Sequence, residues 1–233
     1  MSANDQKTTT KRRTFLGALA TFFGAIGVSA YAKPSNLETY SSTFDGKESP
    51  ADTWFKKVKG KHRVVFDATQ PHEIYPFAWP RVFMITNGMT GTPESDCGVV
   101  VVLRHTAIGY AMEDKLWAKY GFGELFKADD PATKKPSKRN PFWQPKKGDF
   151  KIPGFGEVAI GINELQASGV MFCVCEAAIT VYSTVAAGSM KKDADEVRKE
   201  WMAGLLPGIQ VVPSGVWALG RAQEKGCQYI FAG

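Results

Sequence analysis

The chain has 233 residues, with 29 lysines and arginines against 23 aspartates and glutamates, a formal charge of +6, and 44% hydrophobic residues. A domain usually takes roughly 100 to 200 residues, and a charged fraction of 22% with 12% aromatics leaves ample material for a core. This excludes a disordered chain and a disulfide-held miniprotein, and it leaves too little length for two substantial domains.

Residues 1–13 are polar and end in Lys11-Arg12-Arg13; residues 14–28 carry no charge, and Ala30-Tyr31-Ala32 follows. A positive stretch, an apolar stretch and a small-x-small site in that order predict a secretory leader over 1–32. The apolar part is shorter than the about 20 residues that span a bilayer, although an uncleaved anchor stays open. Thr10-Lys11-Arg12-Arg13-Thr14-Phe15-Leu16 resembles the twin-arginine signal. That resemblance implies export of the folded protein by the twin-arginine translocation machinery, and a periplasmic or outer-envelope location. Cleavage after Ala32 would remove four cations and one acid, leaving about +3, so the basic balance does not point to nucleic acid. Residues 33–60, with Pro34, Ser35, Ser41, Ser42, Gly46 and Pro50, read as a linker that turns amphipathic only around Trp54, Phe55 and Val58.

From residue 61 the pattern predicts one α/β domain. Short runs rich in Val, Ile and Phe at 63–68, 98–103, 170–174, 209–212 and 228–232 read as five buried strands. Helical periodicity fills 155–168, 176–187, 193–205 and 214–225, the last with Ser214 as a cap and Gly226 as a stop. The alternation predicts a three-layer α/β/α domain with a five-stranded, mainly parallel sheet. Functional residues are then expected at the carboxyl ends of the strands: Asp67-Ala68-Thr69, Arg104-His105-Thr106 and Cys173-Val174-Cys175-Glu176.

Residues 127–153 interrupt this scaffold with eight lysines or arginines, three aspartates and five prolines. The prolines predict an irregular excursion, and Asn140-Pro141-Phe142-Trp143 gives it an apolar anchor for docking on the domain. Its cations, among them Lys134, Lys135 and Arg139, suit either a solvated loop or an anion-binding lid.

Four cysteines are present. Cys97 and Cys227 begin strands and read as packing residues, with a disulfide between them as the alternative. Cys173 and Cys175 lie two apart and are expected on one face of the third strand, with Cys175 at the strand-to-helix turn. A helix N-terminus favours the thiolate, so Cys175 is the candidate nucleophile if it is open to solvent. Glu176 opposes that charge or serves in proton exchange, His105 is a candidate for orienting a ligand in the crevice, and Arg104 is a candidate contact beside it. Cys173, Cys175 and His105 are also three soft metal ligands, but C-x-C is not the knuckle spacing of structural zinc. No nucleotide-binding motif follows any strand, so neither a cofactor nor a metal is expected.

Three pieces carry a family resemblance: Val100-Val101-Val102-Leu103-Arg104-His105, Val174-Cys175-Glu176-Ala177-Ala178, and 207–216 continuing into Arg221-Ala222-Gln223-Glu224-Lys225-Gly226. Residues 61–233 resemble the DsrE/DsrF-like family of sulfur-relay proteins. The resemblance implies a five-stranded parallel sheet, homo-oligomers such as trimers or hexamers, a sulfur donor or acceptor protein as partner, and a persulfide on the cysteine that Cys175 matches. Cys173 departs from that pattern and is expected to resolve the persulfide or to close a C-x-C disulfide. A non-catalytic, oligomeric envelope protein binding a small ligand is the other reading.

Overall fold

The computed structural model describes residues 48–233, so the leader and residues 33–47 of the linker lie outside the described residues. Within 48–60 the chain already belongs to the domain. Pro50 starts a short helix, α1 (Pro50–Phe55), capped by Ser49, and Trp54, Phe55 and Val58 are buried. The linker expected up to residue 60 therefore ends earlier, because its three large apolar side chains are drawn into the core.

Numbered along the chain, five strands form one parallel sheet: β1 (His62–Ala68), β2 (Cys97–Leu103), β5 (Met171–Cys175), β6 (Ile209–Val212) and β7 (Gln228–Phe231). Their order is β6-β5-β2-β1-β7, every pairing parallel. Two-residue strands β3 (Lys151–Ile152) and β4 (Gly156–Glu157) make a separate antiparallel hairpin.

Side chains alternate across the sheet, so each strand feeds two cores. Val64, Phe66, Val99, Val101, Phe172 and Val174 enter one core, and Val65, Val100, Val102 and Cys173 enter the other. The first core is closed by α2 (Tyr75–Met89), α6 (Glu176–Met190) and α7 (Ala194–Ala203), through Phe77, Met84, Ile179, Val197 and Trp201. The second is closed by α1 and α8 (Gly215–Glu224), through Phe55, Ala218 and Ala222. This division follows from crossover handedness. From β1 through β2 and β5 to β6 the chain steps in one direction along the sheet, and from β6 to β7 it returns to the far edge, so right-handed connections put α8 on the opposite face.

The expected strands stand with their ends moved by at most one residue. Two helical expectations change. The segment 155–168 is helical only over α5 (Ile162–Ala167), because Gly154 and Gly156 take positive φ in the β3–β4 hairpin. The crossover α2, unassigned from the sequence pattern, tolerates Pro76 in its first turn, where no N–H partner is needed, and loses one backbone bond at Pro80.

Between β2 and β5 lie a 3-10 segment (His105–Ala111), α3 (Asp114–Tyr120), α4 (Phe122–Leu125) and the proline-rich insertion. The expected anchor docks as a unit. The buried Asn140 amide donates to the carbonyls of Tyr110 (2.8 Å) and Met112 (3.0 Å), and its Oδ1 accepts from Phe142 N (3.1 Å). Phe142 is stacked between Phe77 and Phe150, with ring centroids at 4.2 and 5.0 Å. An irregular segment is held here by two satisfied carbonyls and an aromatic stack.

Candidate functional site

The connection after β5 runs on one face of the sheet and the connection after β6 runs on the other. Their carboxyl ends therefore flank a topological switch point, the place where an open parallel sheet leaves a crevice. Cys175 closes β5 and caps α6, its Sγ accepting from Ala178 N at 3.3 Å. Ala177 N donates to Pro213 O (3.2 Å), tying the start of α6 to the end of β6. Ser214 caps α8 through Trp217 N (3.2 Å). Gly215 is required at the next position: a Cβ there would come within 2.5 Å of the Arg104 side chain, which lies across it.

Arg104 leads from this crevice to the middle of the sheet. Its Nε and Nη2 donate to Asp67 Oδ1 and Oδ2 at 2.6 and 2.9 Å, and Tyr229 Oη donates to Oδ2 at 2.9 Å. Asp67 is 1% exposed, so this bidentate pair and the phenol replace the water its carboxylate has lost. The hydrogen bond to Asp67 holds the Arg104 pKa above its ordinary value, against the burial that lowers it. Ends of β1 and β2 and the edge strand β7 thus converge on one hydrogen-bonded set. Asp67 stands at one of the expected strand ends, whereas nothing in the sequence pattern singles out Tyr229. The signal for Asp67 was an acid inside the apolar run Val64-Val65-Phe66-Asp67-Ala68, which needs a buried partner.

The two neighbouring cysteines separate. Cys173 is fully buried on the α8 side, where desolvation pushes its thiol up and keeps it protonated. Cys175 packs with the α6-side core, because the chain turns into the helix at this residue and ends the strand alternation. The shared face expected for this pair is therefore not formed, and all four cysteines are free thiols. Cys97 and Cys227 are buried on opposite faces, as packing residues, so no disulfide joins them. Cys175 is only 6% exposed, so the expectation of an open sulfur is corrected: the cap itself covers it.

The other candidate residues divide between partners. His105, exposed and at positive φ, sits with Nε2 3.1 Å from Tyr182 Oη and its ring edge-on to the tyrosine. Glu176 pairs with Arg198 of α7, which also donates to Thr180 Oγ1 at 3.0 Å, so its carboxylate is engaged in joining the two helices. The insertion cations do not gather around Cys175. Arg139 faces Asp130 and Asp149 at 3.6 and 3.7 Å, Lys135 is exposed, and Lys134 lines a separate cleft beside the loop after β1. Acids within the insertion answer part of its charge.

Among the described residues, no group of three or more His, Cys, Asp or Glu is placed to hold a metal ion, and no helix is long and apolar enough to cross a membrane.

No family model matches the chain, and no curated protein matches it at significance. Among solved structures, the chain is similar to a protein of unknown function from Methanobacterium thermoautotrophicum, at 19% identity and a TM-score of 0.37, over 73% of this chain and 99% of that one.

Proposed function

We propose that the protein takes up and passes on sulfane sulfur at Cys175, in the manner of the DsrE-like proteins its sequence resembles, after export by the twin-arginine route. The observation that supports this reading is the Cys175 Sγ itself, which accepts the Ala178 N–H in the first turn of α6, at the switch point. The thiolate attacks the terminal sulfur of a polysulfide; a new S–S bond forms on Cys175, the donor's S–S bond breaks, and the donor leaves one sulfur shorter. An acceptor thiolate removes that sulfur by the same exchange. With 6% exposure, the attack waits for opening of the first turn of α6 or for a donor protein docking at the crevice. Cys173, protonated and sealed, takes no part in this reading.

Incubation of the mature protein with polysulfide, read by intact mass, tests this. Added sulfur that Cys175→Ala abolishes and Cys173→Ala leaves supports the carrier role; no added sulfur, or sulfur that survives Cys175→Ala, removes it. Fractionation of cells carrying the full chain tests export, with retention of the Arg12→Lys/Arg13→Lys variant in the cytoplasm as the expected outcome.

A second reading, a non-catalytic oligomeric protein, is favoured by a specific surface. Trp79, Val82, Ile85 and Met89 form an exposed stripe on α2, and Tyr229, Ile230 and Phe231 are exposed on the edge strand β7. Monomeric proteins rarely leave an apolar helix stripe and an apolar edge strand uncovered together. Light scattering decides it: assembly lost in Ile230→Lys, with no sulfur uptake by the unaltered chain, would favour this reading over the first.

A further inference from the structure

The loop after β1 and the proline-rich insertion enclose a cleft of about 500 Å³ whose chemistry the reading of Cys175 does not use. Its size falls within the range of small-molecule sites. Tyr110 and Phe150, 2% and 8% exposed, line it. The Tyr110 ring is fixed edge-on against Phe77 and Phe142. Its backbone carbonyl is bonded to Asn140, but among the described residues its hydroxyl has no hydrogen-bond partner. The ring is buried, and the hydroxyl is left free to bond to whatever occupies the cleft. Burial and the Asp129 carboxylate, which lines the same cleft, raise the pKa of this hydroxyl and keep it a donor.

Around this floor stand charged groups that do not neutralise one another. Lys127, Lys134 and Lys151 line the cleft, as do Glu73 and Asp129, and none of the five forms an ion pair among the described residues. Asp130 and Asp149 also line it, but Arg139 is shared between them. A site for a simple anion would carry cations alone; this one presents ammonium and carboxylate groups together around an aromatic floor.

We propose that this cleft binds a zwitterionic small molecule, a free amino acid or dipeptide. Its carboxylate is met by the lysines, its ammonium by Glu73 and Asp129, and an acceptor of the ligand takes the hydrogen bond of Tyr110. The anchor Asn140–Phe142 explains why the insertion is held in place: it fixes Tyr110 from behind while the insertion carries the charged groups over it. This inference stands apart from the sulfur reading, since Cys175 does not line the cleft.

Isothermal titration calorimetry of the full chain with the free amino acids and glycyl dipeptides, each beside its N-acetylated and amidated form, tests the proposal. At least one zwitterion is expected to bind with one-to-one stoichiometry, and N-acetylation or amidation to weaken it by about tenfold or more. Tyr110→Phe should weaken it about fivefold, the worth of one hydrogen bond, while leaving the melting temperature of the free protein unchanged. Lys134→Gln should weaken it as well, and Cys175→Ala should bind as the unaltered chain does. The proposal is overturned if no zwitterion gives heat, if the blocked forms bind equally well, if sulfate alone accounts for the binding, or if Tyr110→Phe binds with unchanged affinity.

Discussion

The crevice at the ends of β5 and β6 and the cleft beneath the insertion differ in what they leave unbonded. In the first, Asp67, Arg104 and Tyr229 bond one another, Glu176 pairs with Arg198, and the Cys175 sulfur has only the Ala178 N–H as a partner. In the second, a phenol and five charged side chains face the cavity without partners among the described residues. The contrast follows from how each is made. Regular strand ends and helix starts bring complementary groups within hydrogen-bond reach, so the charged groups of the crevice are already paired. Irregular chain, pinned at one anchor, carries charges over an aromatic floor and suits ligand recognition.

The sharpest way to break this comparison is to remove the anchor. Phe142→Ala deletes a ring that is fully buried between two others, and the expected loss is about 3 to 5 kcal/mol of stability. Urea unfolding measures it, and a loss below about 1 kcal/mol would mean the insertion is not held as described. Amino-acid binding should disappear in the same variant while sulfur uptake at Cys175 persists.

Next in size is the network at the crevice. Asp67→Ala leaves the Arg104 guanidinium and the Tyr229 hydroxyl without their acceptor, and since Arg104 is partly solvated the expected cost is about 2 to 3 kcal/mol. Stability unchanged within about 0.5 kcal/mol would show that water serves the guanidinium equally well.

High pH separates the buried thiols from the exposed charges. Burial pushes the Cys227 thiol from an ordinary 9.0 up to about 11. The folded state then binds this proton more tightly than the unfolded one, so the contribution is fully present below pH 9.0 and lost progressively as pH rises towards about 11. Cys173 acts in the same direction. Melting temperature should fall across that window, and more steeply than in Cys227→Ala; equal slopes would contradict it. The smallest effect is at the helix cap beside the crevice, where Ser214→Ala should cost about 1 kcal/mol.

Much of the scaffold was legible because β2 and β5 are covered on both faces and so read as unbroken apolar runs, while the apolar run of β1 is broken only at Asp67. The cap at Ser214 was legible for the same local reason, and it accepts from the first turn of α8. What escaped depends on distant contacts. Pro76 and Pro80 hid α2 from any reading by helix propensity, since tertiary packing of Phe77 and Met84 holds it. Trp54 and Phe55 looked like the end of a tether until α8 supplied their neighbours. At the site, the strand period put Cys173 and Cys175 together, and the turn into α6 parted them. Tyr110 gave no sign at all, because its unpartnered hydroxyl is visible only once the insertion has folded over it.

The most direct test of the central claim is the rate at which an alkylating reagent labels each cysteine in the native protein at neutral pH, resolved by peptide mapping. Labelling of Cys175 well ahead of Cys173, Cys97 and Cys227, and blocked by prior treatment with polysulfide, is the expected result. Four cysteines labelled only after denaturation would contradict it, and the protein would then be a scaffold whose chemistry lies elsewhere.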